Sequence, residues 1–315
     1  MVQMRGMNVI AAPAGISVVT REDFFSFVVT GPERKSWLQG LLTGDVSAVG
    51  PRAGAWSLAL TKQGKIVADL VLLENADEEL WVGGTEAEPG AFAKYLDAFL
   101  IMEDAEVREA SSECVWIFAF GQNAWGTLSG ARPGTMAQGQ VSALGVGTTA
   151  WVVQRNAQAS FLQSVGELDA VHVVVDAEEW LRLRLRLGLP LFGTDFSGDE
   201  NPHQASLERR AVDWQKGCYL GQEVVCMQEM RGKVKRRLVR LEVEQAAPVA
   251  AGAAVFGPEG AFVGEVTSSV QADGQQLAYA RVKAPYFDGS VPLLVGGAAA
   301  RVVAGENGSF ASKAP

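Results

Sequence analysis

Lys216-Gly217-Cys218-Tyr219-Leu220-Gly221-Gln222-Glu223 is the densest run of chemistry in the chain. Glycines bracket the cysteine at Gly217 and Gly221. Glycine tolerates positive φ and close backbone approach, so the spacing predicts a turn that exposes the thiol. Lys216 stands two residues before the cysteine, and a nearby cation favours thiolate. Tyr219 offers an aromatic face. Gln222 and Glu223 supply an amide and a carboxylate suited to the NH and C=O edges of a heterocycle. On the residues alone the plainer option stays open: a structural cysteine packed into a Gly-rich turn. Cys226, set among Val224, Val225 and Met227, reads as core packing. A Cys218–Cys226 disulfide would need Cα atoms within about 7 Å, which spacing does not fix.

Upstream, residues 16–29 read as two short strands around a charged turn. Thr30-Gly31-Pro32-Glu33 looks like a capping box ahead of a helix that Gly44 would end. Residues 55–60 and 65–73 read as strands joined by a Lys-Gln-Gly turn, and 88–102 as an amphipathic helix. Residues 115–120 read as a buried strand, 121–147 as a Gly-rich stretch without pattern, and 150–154 and 171–175 as further strands. WLRLRLRL over 180–187 alternates strictly, which favours a strand, but its flanks favour a helix. Asp176 and Glu179 form an N-cap pair and Gly188 suits the C-terminal end, so a helix is expected. From about 236 short strands alternate with Gly, Pro and Asp turns, which predicts a small β-barrel or sandwich.

KGCYLGQE resembles the signature of the YgfZ-type folate-binding family, relatives of the glycine-cleavage T-protein (aminomethyltransferase). Other segments fall in the family's order: LLTGD from Leu41, TKQGKIVAD from Thr61, LRLGLPLFGTD from Leu185, NPHQASL from Asn201, GEVTS from Gly264 and LAYARV from Leu277. The resemblance implies an α+β fold, a three-domain ring of two interleaved ferredoxin-like α/β units plus a C-terminal small β-barrel. Residues 13–235 would form the folate-binding region and 236–306 the barrel. Tetrahydrofolate or a derivative would sit in the central channel, with Cys218 as the functional thiol on its wall and Asp69, Phe192, Gln204, Trp214 and Arg231 as cofactor-binding residues. The family is linked to maintaining iron–sulfur enzymes, including those that modify tRNA, so such enzymes or their assembly proteins become expected partners. The alternative is a folate-dependent aminomethyltransferase. Three departures bear on these roles. Met227 stands where the family has an arginine, Gln204 where an acid is common, and Ala68 where the T-protein has the first of two acids, leaving Asp69 alone.

Asp69 in IVADLVLL is costly unless hydrogen-bonded or open to a pocket, and a pterin's NH donors would suit it. An edge-exposed surface aspartate is the competing reading. Trp214 would stack on a ligand or fill core. Arg231, Lys233, Lys235, Arg236, Arg237 and Arg240 form the one basic cluster. It reads as a solvated face, with folate's glutamate tail or RNA as the other option. Arg182, Arg184 and Arg186 read as ion-paired or surface groups, and His203 as structural or exposed.

The bulk numbers bound the rest. A chain of 315 residues suggests two or three domains. A net charge of −9 argues against broad nucleic-acid binding unless a local basic patch provides it. Three cysteines argue against a disulfide framework and for a reducing compartment, and two histidines without ligand spacing argue against a metal site. The weakly apolar N-terminus does not read as a signal peptide, and no apolar run reaches the ~20 residues of a membrane span. A cytoplasmic protein without membrane contact is expected.

Overall fold

The structure, a computed structural model, describes residues 15–145, 147–232, 234–244, 248–272 and 274–303. Lys233 of the basic cluster lies outside the described residues.

β1 (Ile16–Arg21) and β2 (Phe25–Thr30) are joined by a short charged turn yet enter different sheets. β2 leads to α1 (Arg34–Gln39), β3 (Ala55–Leu60), β4 (Ile66–Glu74), β5 (Leu80–Glu86), α2 (Ala91–Phe99) and β6 (Glu106–Glu109). The chain then returns to the sheet of β1 through β7 (Cys114–Phe120), α3 (Ala124–Leu128), β8 (Thr135–Gln140), β9 (Thr149–Gln154), α4 (Gln158–Gly166) and β10 (Val171–Val173). One five-stranded sheet runs β10-β1-β7-β9-β8, with β10 parallel to β1. The other runs β3-β4-β5-β2-β6 and is antiparallel throughout. The excursion through the second sheet before the return to the first is the interleaving expected of this α+β class.

The two sheets pack face to face. Trp116, Phe118 and Phe120 on β7 meet Trp56, Leu58, Val71 and Trp81 of the other sheet in one apolar core. Trp116 lies so close that a Cβ on Gly83 would sit 2.2 Å from its ring, so glycine is required there. The indole N–H of Trp116 donates to Ser26 Oγ at 2.9 Å, which ties the sheets together. Each outer face is covered by helices. α1 and α2 cover one with Trp37, Leu38, Phe92 and Leu96, and α4 covers the other with Phe161 and Val165.

α5 (Ala177–Arg186) follows β10. Asp176 Oδ1 accepts from the Glu179 amide at 2.7 Å and Gly188 carries φ +65°, so both end signals act as read. The leucine alternation has its own cause. Leu181 and Leu185, one turn apart, pack on the barrel. Leu183 and Leu187, a turn apart on the other side, pack on the inter-sheet core. A helix wedged between two cores needs apolar residues on two opposite faces.

After α6 (Gln222–Arg231), six strands close into a barrel in the order β11-β14-β13-β12-β15-β16. They are β11 (Arg236–Val243), β12 (Ala254–Phe256), β13 (Phe262–Ala272), β14 (Gln275–Lys283), β15 (Leu293–Val295) and β16 (Ala298–Val302).

Local expectations need correction at several places. α1 begins at Arg34 with Glu33 as N-cap and no side-chain cap, and it ends at Gly40 rather than Gly44. Thr43 leaves it to join the neighbouring hairpin, its amide bonding to Leu58 O at 3.0 Å. Glu33 instead accepts from the Asp104 amide, so the expected capping box does not form. The patternless 121–147 holds α3 and β8, and α4 was not foreseen. The basic cluster is not one solvated face. Arg237 pairs with buried Glu208, and Arg240 donates to the carbonyls of Leu185 and Arg186 at the end of α5. Of the two options for His203 the structural one holds: it is buried, with Nε2 2.9 Å from Glu229.

Candidate functional site

β3 and β4 form a hairpin in which Leu58 pairs with Asp69 and Trp56 with Val71. Alternation puts Trp56 and Asp69 on the same face, the one turned toward the other sheet. There the sheets part into a narrow cleft that opens to solvent. Trp56, Phe24, Phe118, Phe120 and Trp180 give it aromatic walls, and Leu189, Pro190 and Leu191 a rim. Asp69, Arg21 and Arg184 are the charged groups of the lining.

Asp69 sits deep but keeps part of its surface open to the cleft. The indole N–H of Trp56 donates to its Oδ1. Burial pushes its carboxyl up to about 6, against the Trp56 bond and the charges of Arg21 and Arg210. The guanidinium of Arg21 lies 4.4 Å from the centre of the Phe24 ring and 5.7 Å from that of Trp180, and it pairs with Asp23. Arg184, almost fully buried, is bonded to Asp195 at 2.6 Å. Asp195 also accepts from the Leu191 amide, Thr267 and Ser268, so the barrel holds the cleft's cation in place. The result is an aromatic slot with an acceptor at its floor, suited to a flat heterocycle bearing NH donors.

The glycine-bracketed motif is built elsewhere. Asp213 Oδ1 accepts from the amides of Gln215 and Lys216, fixing the turn. Lys216 Nζ donates to the carbonyls of Leu42 and Gly44 at 2.6 and 2.7 Å, and the Leu220 amide bonds to Gly40 O at 3.0 Å. Burial lowers the Lys216 ammonium to about 8, against the pull of Asp45 and Asp213. Tyr219 is buried under that ammonium, 5.5 Å from its ring centre, so its face is not free. Gly221 takes φ +82°, and a Cβ there would meet Thr61 O at 2.6 Å. Gln222 and Glu223 open α6 instead of lying in the loop. The loop points Cys218 outward, where it is exposed, with Cys226 half-buried and both thiols free.

No residue from 216 to 223 lines the cleft. The sulfur expected on the cleft wall is therefore on the surface, because the loop is fastened to the α1 end and the β3–β4 turn. Of the expected cofactor residues, the structure places only Asp69 in the cleft. Phe192 packs edge-on against Phe196 with ring centres 5.1 Å apart. Gln204 bonds within its own loop to Asn201, and its carbonyl accepts from Leu238. Trp214 is 38% exposed and donates to Glu208 O. Arg231 is exposed in the last turn of α6. Arg21, Phe24, Trp56, Trp180 and Arg184 were missed. The register set by the Lys62-Gln63-Gly64 turn alone would oppose Asp69 to Ser57. An irregularity between Ala59 and Leu60 shifts it to Leu58 and brings Trp56 diagonal to Asp69, so the pairing was not readable from the turn.

The chain has the fold of the aminomethyltransferase T class. It superposes on the glycine cleavage system aminomethyltransferase T of Bartonella henselae with a TM-score of 0.76 and 19% identity, covering 92% of this chain and 86% of that one. By sequence it resembles the YgfZ type. Proteins named tRNA-modifying protein YgfZ are 25% identical over 238 residues in Serratia proteamaculans and 24% over 234 in Shigella boydii. These alignments cover 72% and 71% of this chain, and 71% of each relative. No protein-family model matches the chain. Among the described residues no helix is long and apolar enough to cross a membrane, and no cluster of His, Cys, Asp or Glu is arranged to hold a metal ion.

Proposed function

We propose that the chain binds tetrahydrofolate or a derivative in the aromatic cleft and, through the exposed Cys218, supports iron–sulfur enzymes, including ones that modify tRNA. The observation that carries the reading is Asp69. It is a deep carboxyl facing a slot of five aromatic side chains, with only the Trp56 indole bonded to it among the described residues. A pterin fits this set: its NH and amino donors match the carboxylate, and its ring matches the walls. The relatives' name, tRNA-modifying protein, supports the cellular role. A reduced folate would supply one-carbon carriage. This chain's own residues would orient the ring, exclude water and hold the acceptor.

On the same reading residues 13–235 form the folate-binding region and 236–306 the barrel domain, and the setting is the cytoplasm. Cys218 acts at the surface, on a partner protein, and the separation from the cleft makes ligand binding and thiol chemistry separable. Lys216, Gly217, Tyr219, Gly221, Gln222 and Glu223 then serve to hold the sulfur outward. The aminomethyltransferase alternative rests on the shared fold and Asp69. Ala68 in place of the other acid of the T-protein's pair counts against it. A strain lacking the chain, complemented with variants, tests the role. Cys218→Ala and Asp69→Ala are each expected to fail to restore an iron–sulfur-dependent tRNA modification. Full restoration by Cys218→Ala refutes the thiol's part. Conversion of an aminomethyl-lipoyl carrier to methylenetetrahydrofolate by purified protein favours the alternative.

A further inference from the structure

The outer face of the barrel carries a row of side chains that the cleft and the motif do not use. Arg236 on β11 pairs across the ladder with Lys283 on β14. Lys283 Nζ lies 5.1 Å from the centre of the Phe262 ring on β13. Phe262 pairs with Phe256 on β12, and Phe256 with Leu294 on β15. Residues directly opposed on neighbouring strands share a face. The strip thus crosses five adjacent strands, and its four inter-strand steps of about 4.8 Å make it about 19 Å long. Phe262 is 53% exposed, Leu294 41% and Phe256 36%. The two phenyl rings are 6.3 Å apart and tilted at 75°. Exposed Lys235 adjoins the basic end, its carbonyl accepting from the Ala284 amide beside Lys283.

We propose that this strip is a docking surface for single-stranded nucleic acid. Exposed aromatic rings stack on bases whatever their identity, and cations beside them meet the phosphates. Lys283 lies over one side of Phe262, so the exposed remainder of that ring and Phe256 are what a base would meet. A chain with net charge −9 has little else to offer a polyanion, so three cations at one end of an aromatic row mark a local exception. Carboxylates fix the direction. Glu259 lies in the turn between Phe256 and Phe262, and Glu265 is exposed three residues beyond Phe262. Phosphates therefore go to Lys235, Arg236 and Lys283, and bases to the phenyl rings. The strip shares no residue with the cleft lining, so folate binding and nucleic-acid binding are separate properties.

Fluorescence anisotropy of the full-length protein with a labelled single-stranded oligouridylate RNA of about 12 nucleotides tests this. Binding in the range of about 1–100 µM near about 50 mM salt is expected. Phe256→Ala/Phe262→Ala should weaken it by about tenfold, and Arg236→Glu/Lys283→Glu should abolish it. Contacts from three cations predict a log–log salt slope of about −2. Both double variants must keep the wild-type circular dichroism spectrum and folate titration, which shows that they are folded. Absence of binding by wild type overturns the proposal, as does binding that the folded double variants leave unchanged. Self-association of the protein that Phe262→Asp abolishes, without RNA binding, overturns it in favour of a second copy as occupant.

Discussion

Asp69 is the residue on which the proposed ligand site turns, and its titration carries a sign. Its pKa rises from the ordinary 3.8 to about 6 on folding. Below the lower value both states are protonated and the group costs nothing. Between the two values the cost of burying the charge grows, and above about 6 it is complete. Asp69→Asn should therefore stabilise the protein at neutral pH by about 2–3 kcal/mol, with the gain vanishing below about pH 4. Urea unfolding at both pH values checks this, and a gain independent of pH contradicts it. Gly221 is the motif's hinge. Its φ of +82° and the Thr61 carbonyl at 2.6 Å leave no room for a Cβ. Gly221→Ala should lower stability by about 1–3 kcal/mol, read as a shift of the denaturant midpoint at constant slope. A shift below about 0.5 kcal/mol would mean that the loop is held loosely.

At the scale of elements, α5 joins the barrel to the cleft. Leu181 and Leu185 face the barrel, Leu183 faces the inter-sheet core, and Arg184 reaches Asp195 at the cleft's edge. Removing the cation leaves Asp195, fully buried, without its charge partner. Arg184→Ala should then cost about 3–5 kcal/mol and disturb ligand binding as well. A loss under about 1 kcal/mol in urea unfolding would show that Thr267, Ser268 and the Leu191 amide suffice. This helix was legible from its caps, since Asp176 and Gly188 act locally. Its alternation was misleading for a tertiary reason: two cores, one on each side. The three-residue strands β12 and β15 were not legible, because three residues carry no period to read.

For the whole molecule, the class of fold was readable from motif order, but the paths of β1 and β2 were not. Two strands separated by three residues look like a hairpin, yet each finds its partners in a different sheet. The place of Cys218 was misjudged for the same kind of reason. Glycine spacing predicts an exposed loop, and the loop is exposed. Where that loop lies relative to the cleft depends on Lys216 reaching Leu42 and Gly44, a contact across 172 or more residues of sequence. Asp69 was found because a carboxylate in an apolar strand violates a local rule.

The cleft's purpose is tested most directly by calorimetric titration of tetrahydrofolate into wild type, Asp69→Ala and Cys218→Ala. Wild type should bind, Asp69→Ala about 5- to 150-fold more weakly, the equivalent of about 1–3 kcal/mol, and Cys218→Ala as tightly as wild type. On the proposed reading the ionised carboxyl is the acceptor, so wild-type affinity should fall as pH drops through about 6. Equal affinity for wild type and Asp69→Ala, or loss of binding in Cys218→Ala alone, would contradict a folate site at the floor of this cleft.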